Sequence, residues 1–285
     1  MDKTVLPSPA KINLGLAVLS QRADGYHNLH TLFQELTFHD TITISPIQSG
    51  CEITSDFDGI PLDESNLAFC AWSTLKKSNP EIGGVKIHLK KQIPIGAGLG
   101  GGSSNAATVL KGLNTLYSLS LSQRDLEKIG TKLGADVPFF IRGGLQLGEG
   151  MGDKLMPIKG MVPGQILLVV PPFSISTVWA YETLKNDLNE PRHEPNFARV
   201  FKKENFSFSI FENDFERIVI PAHPEIGTIK QKLLDQDAVF ASLSGSGSTV
   251  YGIFDEEAQA KRAESALKPF GRTILTQPAS SFPAS

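Results

Sequence analysis

Pro94-Ile95-Gly96-Ala97-Gly98-Leu99-Gly100-Gly101-Gly102-Ser103-Ser104-Asn105-Ala106-Ala107 sets five glycines and two serines between a strand-like run and a helix-like run. Before it, Val85, Ile87 and Leu89 alternate with Lys86, His88 and Lys90, the period of a half-buried strand. After it, Ala106, Val109, Leu110, Leu113 and Leu116 recur at helical spacing, with Ser103 or Ser104 placed to cap the first turn. The glycines therefore join a strand to a helix N-terminus, where unpaired N–H groups and the positive end of the helix dipole favour an anion. Without a Cβ, their backbone can take positive φ and lie against phosphate oxygens. A flexible linker is the competing reading, and an amphipathic helix following at once argues against it.

Common phosphate loops do not fit. Gly96, Gly98 and Gly101 satisfy G-x-G-x-x-G, but the acidic residue that pattern needs about 20 residues on would fall among Ser118 to Gln123, between two helices. Gly102 stands where a Walker lysine should be. Arg124-Asp125-Leu126 lacks the asparagine of a protein-kinase catalytic loop, and Asp56-Phe57-Asp58-Gly59 is neither D-F-G nor downstream of it.

The bulk numbers exclude several classes. A chain of 285 residues with 40% hydrophobic content can bury a substantial core, in one large or two small domains. Its net charge of −3 gives no electrostatic footprint for nucleic acid or an anionic membrane. There is no apolar run of about 18 residues and no secretory layout at the start, so a cytoplasmic protein is expected. Cys51 and Cys70 point to unpaired thiols in a reducing compartment rather than a disulfide scaffold.

Residues 10–19 alternate as a strand, with Ile12, Leu14, Leu16 and Val18 on one face and Lys11, Asn13, Gly15 and Ala17 on the other. The second face suits either a ligand or a solvent-facing edge. His27 and His30 lack the neighbours of a zinc site, and no dedicated metal cage is expected. Strands are expected at 41–47 and 52–55, and a helix at about 66–77. Ser122 with Asp125 forms a capping box for the next helix, which Gly134 can end. Asp136, between that terminus and Val137-Pro138-Phe139-Phe140, is expected to be partly buried and to need a partner, for which Lys11 is a candidate. Strands are expected at 143–148 and 165–171, with turns at 149–153 and 157–163 that place a domain boundary at 157/158. Residues 186–205 read as a polar surface segment. Runs at 238–243 and 249–254, a helix at 255–267 and a strand at 272–276 give a ferredoxin-like order for the second half. The Ser244-Gly245-Ser246-Gly247-Ser248 connection reads either as a hairpin or as a second phosphate-facing loop.

The glycine loop resembles P-x-G-x-G-L-G-[GS]-S-[SA]-[AN] of the GHMP kinases, which act on small molecules such as galactose, homoserine and mevalonate. The resemblance extends along nearly the whole chain. Ser8-Pro9-Ala10-Lys11-Ile12-Asn13-Leu14, Arg22-Ala23-Asp24-Gly25-Tyr26-His27, Leu133-Gly134-Ala135-Asp136-Val137-Pro138 and Ser244-Gly245-Ser246-Gly247 follow in the order of one branch, which phosphorylates a cytidine diphosphate-linked polyol in non-mevalonate isoprenoid biosynthesis.

That resemblance implies an α+β, two-domain fold: an N-terminal ribosomal-S5-domain-2-like α/β domain over 1–157 and a C-terminal ferredoxin-like domain over 158–285. It implies ATP with Mg²⁺, Asp136 as catalytic base with Lys11 as its neighbour, and Pro94, Ile95, Gly96, Ala97, Gly98, Leu99, Gly100, Gly101, Gly102, Ser103 and Ser104 around the ATP phosphates. Asn66, Leu67 and Lys91 would lie at the adenosine end. Tyr26 and His27 would recognise cytosine, Tyr181 would close its other side, and Asn13, Gly245 and Gly247 would line the substrate. No nucleic-acid or membrane partner is implied, and the chain would be a monomer or weak homodimer. A kinase of another small alcohol is the nearest rival, against which the aromatic Tyr26 beside His27 argues. A catalytically silent nucleotide binder is the other, against which the presence of both Lys11 and Asp136 argues.

Overall fold

The computed structural model describes residues 3–23, 25–185, 195, 197 and 207–280. They form two compact units, one of residues 3–10, Phe38–Ile95 and Gly100–Arg142, the other of Lys11–Thr37, Gly96–Leu99 and residues 143–280. The chain passes between units within its first two strands, β1 (Thr4–Gln21) and β2 (His27–Ile47). Both outrun the strands expected from alternation at 10–19 and 41–47. The reason is burial on both faces: every residue from Ser8 to Leu16 and from Leu29 to Leu36 is buried, so no polar face marks the strand. Buried polar residues in β2 find partners far along the chain. Gln34 Nε2 donates to the Ala279 carbonyl at 2.9 Å, its Oε1 accepts from Val162 N–H at 3.0 Å, and Glu35 Oε2 accepts from Gly144 N–H at 2.8 Å.

β2 is the middle of a six-stranded sheet of order β3–β4–β2–β5–β6, with β1 also paired to β2. Its members are β3 (Cys51–Ser55), β4 (Gly84–Lys90), β5 (Leu145–Gly150) and β6 (Lys154–Pro157). Thr41–Ile47 pairs antiparallel with β4, and Leu29–Gln34 antiparallel with β5. β3 and β4 run parallel and so need a crossover, which α1 (Leu67–Ser78) supplies. Asn66 caps α1 by accepting from Ala68 N–H at 2.9 Å. Helix α2 (Gly101–Leu116) follows the glycine loop, and α3 (Gln123–Thr131) starts at the Ser122/Asp125 capping box that the sequence shows. The apolar segment after Asp136 is the short helix α4 (Val137–Arg142). The turn expected at 149–153 is displaced, because β5 runs to Gly150 and β6 returns beside it as a hairpin.

The remaining elements are β7 (Gln165–Val170), α5 (Thr177–Lys185), α6 (Glu216–Ala222), α7 (Pro224–Asp235), β8 (Phe240–Leu243), β9 (Val250–Phe254), α8 (Glu257–Leu267) and β10 (Arg272–Thr276). Their sheet is antiparallel with order β10–β7–β9–β8, the ferredoxin-like arrangement. The polar stretch 186–205 lies, Pro195 and Phe197 apart, outside the described residues. Beyond β10 the chain stays on β2: Thr37 N–H donates to the Gln277 carbonyl at 2.9 Å and Ala279 N–H to the Glu35 carbonyl at 2.8 Å.

Cys51 and Cys70 are free, and burial pushes the Cys51 thiol up to about 12. No described helix is long and apolar enough to cross a membrane.

Leu233 of α7 is fully buried, in a core with Leu167, Val169, Leu243, Val250 and Phe254. It closes on β9 at Gly252, where a Cβ would stand 2.9 Å from its Cδ2. Leu233→Ala leaves a cavity that a fixed sheet cannot fill, and is expected to cost about 2–5 kcal/mol, read from the midpoint of urea unfolding.

Candidate active site

In the first unit, α2 opens directly after Gly100, which is left-handed at φ 73°. No side chain caps the helix, so the cap expected from Ser103 or Ser104 is not made. Ser104 is instead drawn inward: its N–H donates to the Gly100 carbonyl at 2.9 Å and its hydroxyl lies 2.8 Å from that of Ser8. A helix begun by backbone alone turns the N–H groups of its first turn to whatever occupies the loop. Gly102 at that turn is exposed, with room for a Cβ that would stand 3.7 Å from Leu67 Cδ1. The half-buried Asp136 immediately precedes α4. Its loop runs past the start of α2, since a Cβ on Gly134 would lie 3.8 Å from Ser103 Oγ.

Beneath the start of α2 is a buried polar cluster. Lys91 Nζ binds Asp40 Oδ2 and, at 2.9 Å, Asn105 Oδ1. Asp40 Oδ1 accepts from the N–H groups of Gln92 at 2.7 Å and Ile93 at 2.8 Å. Asn105 Nδ2 donates to Asp40 Oδ2 and to Ser8 Oγ, both at 2.9 Å. The Lys91 and Asp40 side chains are 6% and 0% exposed.

The second unit holds the rest of the loop, residues 96–99, and lays it against the β8–β9 connection. Lys11 N–H donates to the Leu99 carbonyl at 3.1 Å, Thr249 N–H to Ala97 at 3.3 Å and Ser244 Oγ to Gly98 at 3.0 Å. The serine-glycine run is thus a hairpin connection and also the support of the first glycine loop. Gly245, at φ 58°, comes close enough to Gly98 that a Cβ would lie 3.6 Å from its Cα. Asn213 holds that turn, donating to the carbonyls of Leu243 at 2.8 Å and Gly245 at 2.9 Å.

Lys11 and Asn13 are 4% and 2% exposed, so their face of β1 is not a solvent edge. Lys11 Nζ donates to Asn13 Oδ1 at 2.6 Å and lies 5.4 Å from the centre of the Phe33 ring. Asn13 Nδ2 donates to Thr31 Oγ1 at 2.8 Å, and the Tyr251 hydroxyl donates to the Asn13 carbonyl at 2.9 Å. Tyr251 is fully buried, and desolvation first, then the Glu216 carboxylate, push its hydroxyl well above the usual range, so it stays a donor. Tyr26 is 63% exposed while His27 is buried. His27 stacks on Tyr181 with ring centres 5.2 Å apart. Of the residues named from the sequence, Lys11, Asn13, Tyr26, His27, Tyr181, Gly245 and Gly247 share the second unit with residues 96–99. Pro94, Ile95, Gly100–Ser104, Asn66, Leu67, Lys91 and Asp136 belong to the first. Asp40, Asn105 and Asn213 escaped the sequence reading: Asn105 was in view inside the glycine motif, whereas nothing around Asp40 or Asn213 sets them apart from loop residues.

Residues 66–144 match the GHMP kinases N terminal domain and residues 196–272 the GHMP kinases C terminal. A 4-diphosphocytidyl-2-C-methyl-D-erythritol kinase of Chlorobium limicola is 42% identical over 274 residues, 94% of this chain and 95% of that one. The chain belongs to the GHMP kinases. A Geobacter sulfurreducens protein named as the same kinase is 39% identical over 94% of this GHMP kinase and 96% of its own length. A crystal structure of 4-(cytidine 5'-diphospho)-2C-methyl-D-erythritol kinase superposes with a TM-score of 0.83 at 31% identity, covering 97% of this chain and all of that one. Homoserine kinase from Cytophaga hutchinsonii, at TM-score 0.74 and 17% identity over 99% and 96% of the two chains, shares the GHMP kinase fold.

Two glycines of the loop separate strain from collision. Gly96, at φ 64°, has open space where a Cβ would go, so Gly96→Ala is expected to cost only the left-handed penalty of about 1–2 kcal/mol. At Gly98, φ 79°, a Cβ would run into the Ser244 carbonyl oxygen and stand 3.1 Å from that of Gly247. Gly98→Ala is expected to be the more destabilising of the two in urea unfolding, and the only one to force the loop off the β8–β9 turn.

Proposed function

We infer that this GHMP kinase transfers the γ-phosphoryl group of ATP to the 2-hydroxyl of 4-diphosphocytidyl-2-C-methyl-D-erythritol. The products are the 2-phosphate and ADP, in isopentenyl diphosphate biosynthesis by the non-mevalonate route. It is a small-molecule kinase, a phosphotransferase with an alcohol acceptor. The observation that carries this reading is likeness of about 40% identity along nearly the whole chain to kinases of that name.

Phosphoryl transfer asks for alignment and charge stabilisation more than for covalent help. The uncapped first turn of α2 and the glycines ahead of it supply backbone donors for the ATP phosphates, so Pro94 to Ser104 form the phosphate loop, with Asn66, Leu67 and Lys91 at the adenosine end. Asp136 accepts the proton of the attacking hydroxyl. Lys11, oriented by Asn13, favours ionised oxygen at the reacting centre. Tyr26 and Tyr181 offer flat faces to cytosine and His27 hydrogen bonds, while Gly245 and Gly247 allow a close backbone approach to the substrate. Mg²⁺ bound with the nucleotide would supply charge neutralisation on its phosphates. Such an ion keeps several waters and uses few protein ligands. We read the functional division at 157/158; the matched segments 66–144 and 196–272 leave room for it. The enzyme works in the cytoplasm as a monomer or weak homodimer, with no nucleic-acid or membrane partner.

A coupled ADP-release assay with ATP, Mg²⁺ and a panel of diphosphocytidyl-methylerythritol, mevalonate, homoserine and galactose tests the substrate. Turnover is expected on the cytidyl compound alone; turnover on another member would overturn the reading of Tyr26 and His27. Asp136→Asn is expected to lower kcat by about a hundredfold or more at unchanged circular dichroism. Near wild-type turnover would remove Asp136 as the base.

A further inference from the structure

Apart from Lys91, read above as lying at the adenosine end, the Asp40 cluster has no part in the function proposed above, yet it touches the glycine loop at both of its ends. Oδ1 takes the N–H groups of Gln92 and Ile93, the two residues immediately before Pro94. Oδ2 takes Asn105, one turn into α2. A single carboxylate thus fixes where the loop leaves the sheet and where it enters the helix. A fully buried carboxylate is tolerated only when its charge is matched and its lone pairs are filled, and Lys91 supplies the matching charge. The Lys91 ammonium is committed inward, to Asp40 and Asn105, rather than outward to a nucleotide phosphate.

We propose that Asp40 is a positioning residue for ATP, setting the span and direction of the phosphate loop through Gln92, Ile93 and Asn105, with Lys91 as its counter-charge. The proposal rests on the reading of Pro94 to Ser104 as the ATP phosphate loop. A neutral hydrophobic filler of the same volume would hold the interior but could not bond two backbone N–H groups and a helix side chain at once. Displacing bound phosphates by about 1 Å is enough to lose much of the benefit of alignment. The residues read as acceptor-facing, Lys11, Asn13, Tyr26, His27 and Tyr181, make none of these bonds. The effect should therefore fall on the nucleotide side of the reaction.

The test compares Asp40→Asn, Asn105→Ala, Gly100→Ala and Leu233→Ala with the wild type in the ADP-release assay, each at a temperature where its circular dichroism is native. Asp40→Asn keeps the shape and one acceptor oxygen but discards the charge that holds Lys91. Asn105→Ala cuts the tie to α2 without stranding a charge on Asp40, and decides the matter if Asp40→Asn does not fold. Both are expected to raise KM for ATP about tenfold or more, with KM for the cytidyl acceptor unchanged within twofold. Leu233→Ala, destabilised in the core of the second unit, should leave KM for ATP at the wild-type value, which separates positioning from mere loss of stability. If folded Asp40→Asn and Asn105→Ala keep a wild-type KM for ATP while Gly100→Ala raises it, the positioning role is overturned and the phosphate loop stands. If Gly100→Ala leaves it unchanged as well, the phosphate-loop reading falls and takes the proposal with it. An equal rise in both KM values would also overturn the proposal, since it would report a general loosening.

Discussion

A helix N-terminus normally finishes its own hydrogen bonding with a serine, threonine or aspartate side chain. Here α2 is begun by a left-handed glycine, and the nearest serine, Ser104, is turned inward to Ser8. Much of the surrounding structure makes this tolerable. The loop must be glycine-rich to reach that conformation, it must be supported because glycine does not stiffen it, and the support must come from groups that leave the first turn open. In the first unit that support is polar and buried, centred on Asp40; in the second it is the β8–β9 turn, whose Ser244 and Thr249 bond the backbone at Gly98 and Ala97.

The second unit shows the same logic around Lys11. Lys11 would be a poor occupant of a fully buried strand if its ammonium faced only hydrocarbon. Asn13 receives it, Thr31 receives Asn13, and Tyr251 fixes the Asn13 carbonyl from the other sheet. The Lys11 ammonium is thus oriented through the Asn13 amide, and Lys91 meets the Asp40 carboxylate.

The local features were legible in the sequence. Alternation gave β4, the capping box at Ser122 gave α3, and the order of runs after residue 238 gave a ferredoxin-like half, because each depends on neighbours a few residues apart. β2 was legible only in part, since its buried Gln34 and Glu35 are satisfied by partners more than a hundred residues away, as Glu35 is by Gly144. The cap of α2 was misread for a related reason: a serine at a helix start looks the same whether it turns to its own backbone or to Ser8. The glycine motif itself was fully visible, but Asp40 beneath it was not, because a lone aspartate just ahead of the alternating run at 41–47 carries no local sign that it lies buried within β2.

Gln34 reaches the carbonyl of Ala279 across a separation of 245 residues, and Glu35 and Thr37 receive the chain on either side of it. During synthesis, β2 leaves the ribosome among the first elements but acquires this edge only when the last described residues have emerged. Contacts of such separation form late and slowly. Until then β2 lacks its bonds to residues 277–279, while the bond from Val162 to Gln34 can already form. Those last described residues act as a latch on β2, and their loss would be felt at Gln34 and Glu35 rather than where the cut was made.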